Sequence, residues 1–562
     1  MVKRELEVID LTGCEDAEQP TAQIRRLHED EPDDLLCPIT GVMFRDPVVL
    51  PASGITYERR AIEEWLRKGN LTCPVTRVQV ASDNGVLLTN FTARGSVERW
   101  LRENSDRTPE DWNTREMPPP THPQHGRPTY PHARERMQRR SEGPPDVRVL
   151  QTLRETCHVV EETWDTMGRL AKLHLQCNQL TSVPAEIGQL SSLTELDLGY
   201  NELTSLPAEI GQLTSLERLY LGGNQLTSLP AEIGQLFSLQ RLCLNDNQLT
   251  SLPTEISQLT SLRELVLHGN QLTSVPAEIW QLTALEILNL NNNQLTSLPA
   301  EIGQLTSLER LMIRGNQLTS VPAEIGQLTA LTELYVGRNK LTSLPEEISQ
   351  LTSLTELQLN DNQLTSVPAE IWQLTALTEL YLTDNQLTSL PEEIGQLTSL
   401  EKLGLGGNQL TSVPPEIGQL TSLRELHLKI NKLTSVPAEI SQLTSLTELH
   451  LNDNQLTSVP PEIGQLTSLT ELYLQENQLT SVPPEIGQLR ALKFLWLNGN
   501  QLTSLPAEIG QLTSLKLLDL DSNQLTSVPP EIGQLTSLTE LYLQGNQLTS
   551  VPPEIGTACY HL

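Results

Sequence analysis

The sequence predicts a multidomain protein in which a small α+β domain precedes a long α/β solenoid with a curved parallel sheet. Three observations carry this. From Leu170 the chain repeats every 23 residues as L-x-x-L-x-L-x-x-N-x-L-T-S-(L/V)-P-x-E-I-x-x-L-x-x, and the asparagines at 178, 201, 224 and onward to 546 stay in register through 17 units. Between Glu103 and Pro145 the apolar periodicity vanishes into a Pro- and Arg-rich stretch. Before that break, the segment Asp34 to Leu101 is organised around two similar anchors, Cys37-Pro38-Ile39-Thr40 and Cys73-Pro74-Val75-Thr76-Arg77.

In chain order, residues 1–30 read as a disordered acidic tail. Within it Glu7-Val8-Ile9-Asp10-Leu11-Thr12 is a short β-prone run followed by Glu15, Asp16 and Glu18. Such a segment suits addition to the edge of another protein's sheet, with alternate side chains in pockets and the acids against a basic rim. Val8, Ile9 and Leu11 are the apolar residues concerned, and the run resembles a SUMO-interacting motif, which implies SUMO as a partner. An apolar tetrad without function in a disordered tail is the alternative.

Residues 31–103 form the first folded domain. Its anchors have the outline of a zinc-binding RING finger, yet a tetrahedral site needs close Cys pairs, and the partner positions are Thr40 and Thr76. Cys73 is the only other Cys or His between Cys37 and Leu101, so a closed zinc site cannot form. The loops must instead be held by hydrogen bonds and a small core drawn from Leu36, Val48, Val49, Ile62, Leu66, Leu87 and Leu88. Phe44-Arg45-Asp46-Pro47-Val48, Ser53-Gly54, Tyr57-Glu58-Arg59, Ala61-Ile62-Glu63-Glu64-Trp65-Leu66 and Asn90-Phe91-Thr92-Ala93-Arg94 follow in the order of the U-box family, which the segment resembles. It departs from that pattern in a longer Val80–Val86 connection and in Thr89, where a proline is common.

The resemblance implies an E3 ubiquitin ligase without a nucleophile or cofactor of its own. It would bind a conjugating enzyme carrying thioester-linked ubiquitin and restrict that ubiquitin to conformers ready for attack by a substrate lysine. Ile39, Trp65 and Pro74 match the groove that receives the conjugating enzyme. Arg77 matches the arginine that bridges enzyme and ubiquitin, a task suited to a planar, permanently charged fork of donors. Cys37 and Cys73 read as packing thiols, because no His in the domain could activate them. A scaffold that docks partners without transferring ubiquitin is the alternative function.

Residues 104–145 read as a semi-rigid spacer, with Pro118, Pro119 and Pro120 favouring polyproline II. Residues 146–169, with Val149, Leu150, Leu153, Val159, Val160 and Trp164, read as a helical cap. Residues 170–562 resemble leucine-rich repeats of the Leu-Pro-x-Glu-Ile type, which implies a strand at each L-x-L and a small helix starting at the Pro. Each register Asn is expected to be buried and bonded to backbone of neighbouring coils.

The residue between the two strand leucines points away from the core and is the most varied in the repeat. Five of the nine tyrosines stand there. Variation at an outward position within a nearly constant frame points to a protein-binding surface. The candidate residues are Arg310, Arg314 and Tyr335, which with Met312 and Arg338 form a basic patch on two adjacent repeats, then Tyr381, and an aromatic strip of His427, His450, Tyr473, Phe494 and Trp496. Glu333, Glu356, Glu379, Glu425, Glu448 and Glu471 form a ladder expected to attract a basic partner. The two histidines read as polar contacts, and no metal site is expected.

The formal charge is −32; residues 1–150 carry 21 Lys and Arg against 25 Asp and Glu, and residues 151–562 carry 17 against 45. This disfavours nucleic acid as a partner. Seven scattered Cys, no signal-peptide core and no apolar run of spanning length point to a soluble cytoplasmic or nuclear protein without a membrane partner. The last coil ends close to Leu562, so an exposed sheet edge and pairing of copies through it are expected.

Overall fold

The computed structural model describes residues 47–50, 55–58, 88–89, 145–157, 160–550 and 560–561, in two compact units, 1–134 and 135–562. In the first unit, β1 (Pro47–Leu50), β2 (Ile55–Glu58) and β3 (Leu88–Thr89) form an antiparallel sheet with β1 in the middle. Pro47 pairs with Glu58 and Leu50 with Ile55, while Val48 and Val49 face Thr89 and Leu88. The Val, Ile, Thr and Tyr content of β1 and β2 suits strands. Pro47, lacking a donor, is the first residue of its strand, a position where proline is tolerated.

The second unit starts with helix α1 (Pro145–Thr156). Its apolar side buries Val149, Leu150 and Leu153 against the repeat core, and Asp146 accepts the Leu170 N–H at 3.0 Å. The helical reading of 146–169 holds only this far. Glu161–Trp164 is a strand, β4, antiparallel to β5 (Leu170–His174). The intervening turn explains the switch: Asp165 Oδ1 accepts the N–H groups of Met167 and Arg169, and Gly168 takes φ 75°. A hairpin so fixed offers β4 a ladder partner, which overrides helix propensity.

From β5 every coil adds one strand parallel to the last, through β6 (Glu195–Asp197) and on to β21 (Glu540–Tyr542). A two-residue strand, β22 (Tyr560–His561), follows, and the order returns from β22 to β4 as a closed circuit. The open carboxyl-terminal edge expected from the sequence is therefore absent among the described strands, because the amino-terminal hairpin stands next to β22. In β6 to β21 the central Leu is buried and its neighbours, Gly404 excepted, are at least partly open, as in Glu425-Leu426-His427. These leucines stack into one core running the length of the unit.

On the other side of the coils, from Ala185–Gln189 to Pro530–Gln534, the described Pro-x-Glu-Ile segments form five-residue 3-10 helices. The Pro does not occupy the first turn as expected; it is the N-cap in extended conformation, Pro184 at φ −68° and ψ 146°. Only where a second Pro follows, as at Pro415 and Pro461, does a proline take the first helical position.

The register asparagines behave as anticipated. Asn201 Oδ1 accepts the N–H groups of Asn178 and Leu180, and its Nδ2 donates to the carbonyls of Leu175, one coil back, and of Leu198 in its own coil. The same pattern recurs at Asn293 and Asn500. Each amide thus ties consecutive coils with bonds hidden from water.

Two coils depart from the frame. Trp280 and Trp372 occupy a position that elsewhere is Gly or Ser, and both are fully buried. At Gly211 and Gly464 a Cβ would lie 2.5 Å from a carbonyl oxygen of the next coil. An indole can enter only if that coil moves, and Pro299 (φ −81°, ψ 163°) and Pro391 (φ −82°, ψ 166°) depart from the −69° and 147° of Pro253.

Candidate binding face of the repeat sheet

The open face of the sheet is a ruled surface in which residues 23 apart become neighbours. Four consecutive strands, β16 (Glu425–His427), β17 (Glu448–His450), β18 (Glu471–Tyr473) and β19 (Phe494–Trp496), pair in exact parallel register, so that His427, His450, Tyr473 and Trp496 form one row. His450 and Tyr473 stack with centroids 4.0 Å apart and planes at 12°, and Tyr473 and Trp496 stack at 4.0 Å and 6°. His427 meets His450 at 4.3 Å, tilted by 58°, and Phe494 adjoins Trp496 at 5.7 Å. Aromatic rows of this kind present a large rigid surface at small entropic cost.

The second row of this face is acidic, and it is largely compensated from within. Tyr473 donates its hydroxyl proton to Glu471 at 2.5 Å and Tyr381 to Glu379 at 2.8 Å. Lys402 stands 3.4 Å from Glu379 and 3.8 Å from Glu425, filling the one rung between them that lacks a carboxylate. Burial, then the carboxylate partner, raises the hydroxyl pKa of Tyr473 and of Tyr381. Burial also depresses the two histidines: His450 falls to about 3, helped by His427 and Lys429, and His427 is lowered with Lys429 and Lys402 contributing. With the rings uncharged at neutral pH, the 3.8 Å approach of His450 to Glu448 is not an ion pair.

The basic patch is arranged differently from its appearance in the sequence. Arg310 pairs with Glu333 at 3.1 Å and Arg338 with Asp361 at 3.5 Å. Tyr335 sits within hydrogen-bond reach of Glu333 (2.8 Å) and Glu356 (2.9 Å), so its single proton serves one carboxylate at a time. Arg314 has no ion pair among the described residues, and its N–H donates to Asn291. Tyr381 is two strands from His427; between them Gly404 has no side chain, and the Tyr381 ring lies against it. Beside Tyr381, Gln358, Asn360 and Thr383 line a shallow open depression.

Residues 145–435 and 483–558 match, in overlapping segments, the leucine-rich repeat region family. The chain belongs to the leucine-rich-repeat proteins. Among solved structures, this repeat protein is similar to a leucine-rich-repeat protein of Leptospira interrogans, 38% identical over 69% of this chain and 95% of that one, with a TM-score of 0.53. The plant peptide hormone receptor RGFR1 in complex with RGF2 is 31% identical over 67% of this chain and 71% of that one, with a TM-score of 0.52. At the amino-terminal end, residues 31–106 match the U-box domain. There the repeat protein is similar to U-box domain-containing protein 11 of Arabidopsis thaliana, 40% identical over 78 residues, 14% of this chain and 12% of that one. It is likewise similar to the E3 ubiquitin-protein ligase SPL11 of Oryza sativa subsp. japonica, 35% identical over 78 residues, 14% of this chain and 11% of that one. Across the relatives matched through the U-box, the chain spans 5% to 15% of their lengths.

Of the residues singled out in the repeat protein's sequence, the structure brings His427, His450, Tyr473, Phe494 and Trp496 into one contiguous strip. Arg310 and Tyr335 lie on the neighbouring strands β11 (Arg310–Met312) and β12 (Glu333–Tyr335), with Arg314 just beyond the first. Ile39, Trp65, Pro74 and Arg77, and Val8, Ile9 and Leu11, lie outside the described residues. Sequence reasoning passed over Lys402, whose position in the ladder could have been read from the 23-residue register. It also missed Ile430, a 54% exposed β-branched residue at φ 54° immediately before its register Asn. No helix among the described residues is long and apolar enough to cross a membrane.

Proposed function

We propose that this protein is an E3 ubiquitin ligase in which the U-box recruits a ubiquitin-charged conjugating enzyme and the open face of the repeats selects the protein to be modified. The observation that carries this reading is the U-box match over residues 31–106, joined in one chain to a repeat sheet with an aromatic strip. The similar rice protein is named an E3 ubiquitin-protein ligase, and the similar receptor RGFR1 is in complex with RGF2.

In this reading Ile39, Trp65 and Pro74 hold the conjugating enzyme by apolar contact, and Arg77 bridges it to ubiquitin. The ligase contributes orientation and forms no covalent intermediate. His427, His450, Tyr473, Phe494 and Trp496 anchor the substrate, with Tyr381, Tyr335, Arg310 and Arg314 as a second contact region. Because Glu333, Glu379 and Glu425 are already compensated by Arg310 and Lys402, shape and aromatic contact outweigh net charge in selecting it. Val8, Ile9 and Leu11 add a docking strand for SUMO, and the ligase acts in the cytoplasm or nucleus.

The test is a ubiquitination assay with the purified full chain and a panel of conjugating enzymes, with wild type, Ile39→Ala and Arg77→Ala compared in the presence and absence of a zinc chelator. Chelator-resistant chain formation that both substitutions weaken is the expected result. Absence of activity with every enzyme, from folded protein, would favour a non-enzymatic scaffold. Retention on SUMO chains that survives Ala at Val8, Ile9 and Leu11 would remove SUMO from the scheme.

A further inference from the structure

Strands β16 and β17 carry the same tripeptide, Glu-Leu-His, in parallel register: Glu425 faces Glu448 and His427 faces His450. Residues two apart on a strand project from the same face, so the four polar side chains form a two-by-two array on the open side while Leu426 and Leu449 are buried beneath. Donor atoms of His427, Glu448 and His450 all lie within 4.8 Å of one another. The Nε2 atoms of both histidines are shielded from solvent and find no hydrogen-bond partner among the described residues. Two solvent-shielded ring nitrogens left unsatisfied on adjacent strands are costly unless something binds them.

We propose that His427, His450 and Glu448 bind a divalent transition-metal ion of the zinc class on the open face of the repeat sheet.

Two imidazoles and a carboxylate make a donor set that suits zinc and leaves one position of a tetrahedron open. Glu425, whose carboxylate is 4.0 Å from His427 Nε2, is placed to fill that position, as an alternative to water or a partner's side chain. Zinc ligands at about 2.0–2.1 Å require donors about 3.4 Å apart. Glu448 Oε2 and His450 Nε2 are separated by 3.8 Å and the three donors span at most 4.8 Å, so side-chain rotations moving the donors by about an ångström would bring the set to that spacing. Orientation of the ligands is partly provided already, since the His450 ring is held flat on Tyr473. The sequence does not advertise this cluster because the histidines are 23 residues apart, with no short ligand motif; strand register alone makes them neighbours.

This inference does not rest on ligase activity, and its test does not measure it. The full chain, stripped of metal and kept reduced, is titrated with Co²⁺ and followed by visible absorption, and with Zn²⁺ in competition with a chromogenic chelator. The expected outcome is one equivalent of Co²⁺ showing tetrahedral d–d bands without thiolate charge transfer, which separates this site from the chain's cysteines. The same titrations of a His427→Gln, His450→Gln double variant should show that equivalent lost, and Glu448→Gln should weaken Zn²⁺ by at least about tenfold, the scale seen on losing even an outer-sphere partner. His268→Gln, on a distant coil, controls for nonspecific imidazole binding, and circular dichroism of each variant establishes that the solenoid is intact. Folded double variant that still binds with wild-type stoichiometry and affinity, a spectrum dominated by thiolate charge transfer, or a wild-type chain that binds neither ion would each overturn the proposal.

Discussion

The imidazole of His450 lies on the phenol ring of Tyr473, centroids 4.0 Å apart and planes 12° from parallel, although the residues are 23 positions apart in the chain. Tyr473 in turn lies on Trp496, so a single ring supports both neighbours. Replacing Tyr473 with Ala removes two ring contacts and costs about 1–3 kcal/mol of local stability. Tyr473→Phe keeps the stack and loses only the bond to Glu471. A thermal melt comparing the variants should rank wild type and Phe together, well above Ala. Equal loss in both would assign the stabilisation to the hydroxyl and not to the stack.

Asn293 joins three segments of backbone through Leu272, Leu267 and Leu290. Asn293→Ala strands the buried Leu272 N–H, at about 1–3 kcal/mol, while the carbonyls of Leu267 and Leu290 each keep one bond, from Asn270 and Asn316. Because each coil contacts only its neighbours, the damage should be local. Hydrogen exchange should show lost protection concentrated in the coils on either side of Asn293, with the aromatic strip unaffected. Uniform loss along the whole unit would show that the coils unfold as one.

Ile430 is held at φ 54°, where a β-branched side chain is strained, while most other coils place Gly, Asp or Asn at the same position and the rest, Cys177, Tyr200, Arg338, Glu476 and Ser522, are not β-branched. Its side chain is 54% exposed, so little packing offsets the strain. Ile430→Asn should therefore stabilise the protein by about 1 kcal/mol. A lower denaturation midpoint in the variant would mean that the exposed Ile430 side chain makes a stabilising contact after all.

Asp197 is pushed above the ordinary carboxylate pKa by burial, against the N–H of Gly199 that its Oδ1 accepts. A carboxyl with a raised folded pKa is more readily protonated in the folded state than in the unfolded one. Its ionisation therefore removes stability as pH rises from the ordinary carboxylate range through the raised value. Asp197→Asn keeps an acceptor for Gly199 and cannot ionise. The variant should melt higher than wild type at pH 7, and the gap should shrink near pH 3. A gap of the same size at both values would contradict the shift.

Trp280 and Trp372 bury their indoles where other coils leave room for no side chain at all beyond Gly or Ser. Trp372→Gly restores the common repeat but leaves the space the indole occupied, with a loss of about 3–5 kcal/mol if the coils do not close. Closure is detectable as a smaller loss together with a fall in the exchange of amides in the coil of Pro391.

By itself the sequence determined the solenoid. A 23-residue period with apolar residues at constant offsets admits one solution, a stack of coils with leucines inside and an amide ladder between them, and the structure places Leu426, Leu449 and Asn201 accordingly. It determined the U-box as well, because several short motifs agree in order over one segment. What it could not decide was how the varied side chains meet. Residues one period apart touch only through strand register, and whether Arg310 is a free cation or half of a pair with Glu333 depends on the reach of flexible side chains across about 5 Å. The same distance turns His427, His450 and Glu448 from isolated letters into one cluster. The strand at Glu161–Trp164 came from pairing with Leu170–His174 across a turn built by Asp165 and Gly168, a partner that outweighed the helical look of the preceding residues. Local pattern settles which face each residue occupies; only the folded sheet, by setting which residue stands beside it, settles its charge state and its chemistry.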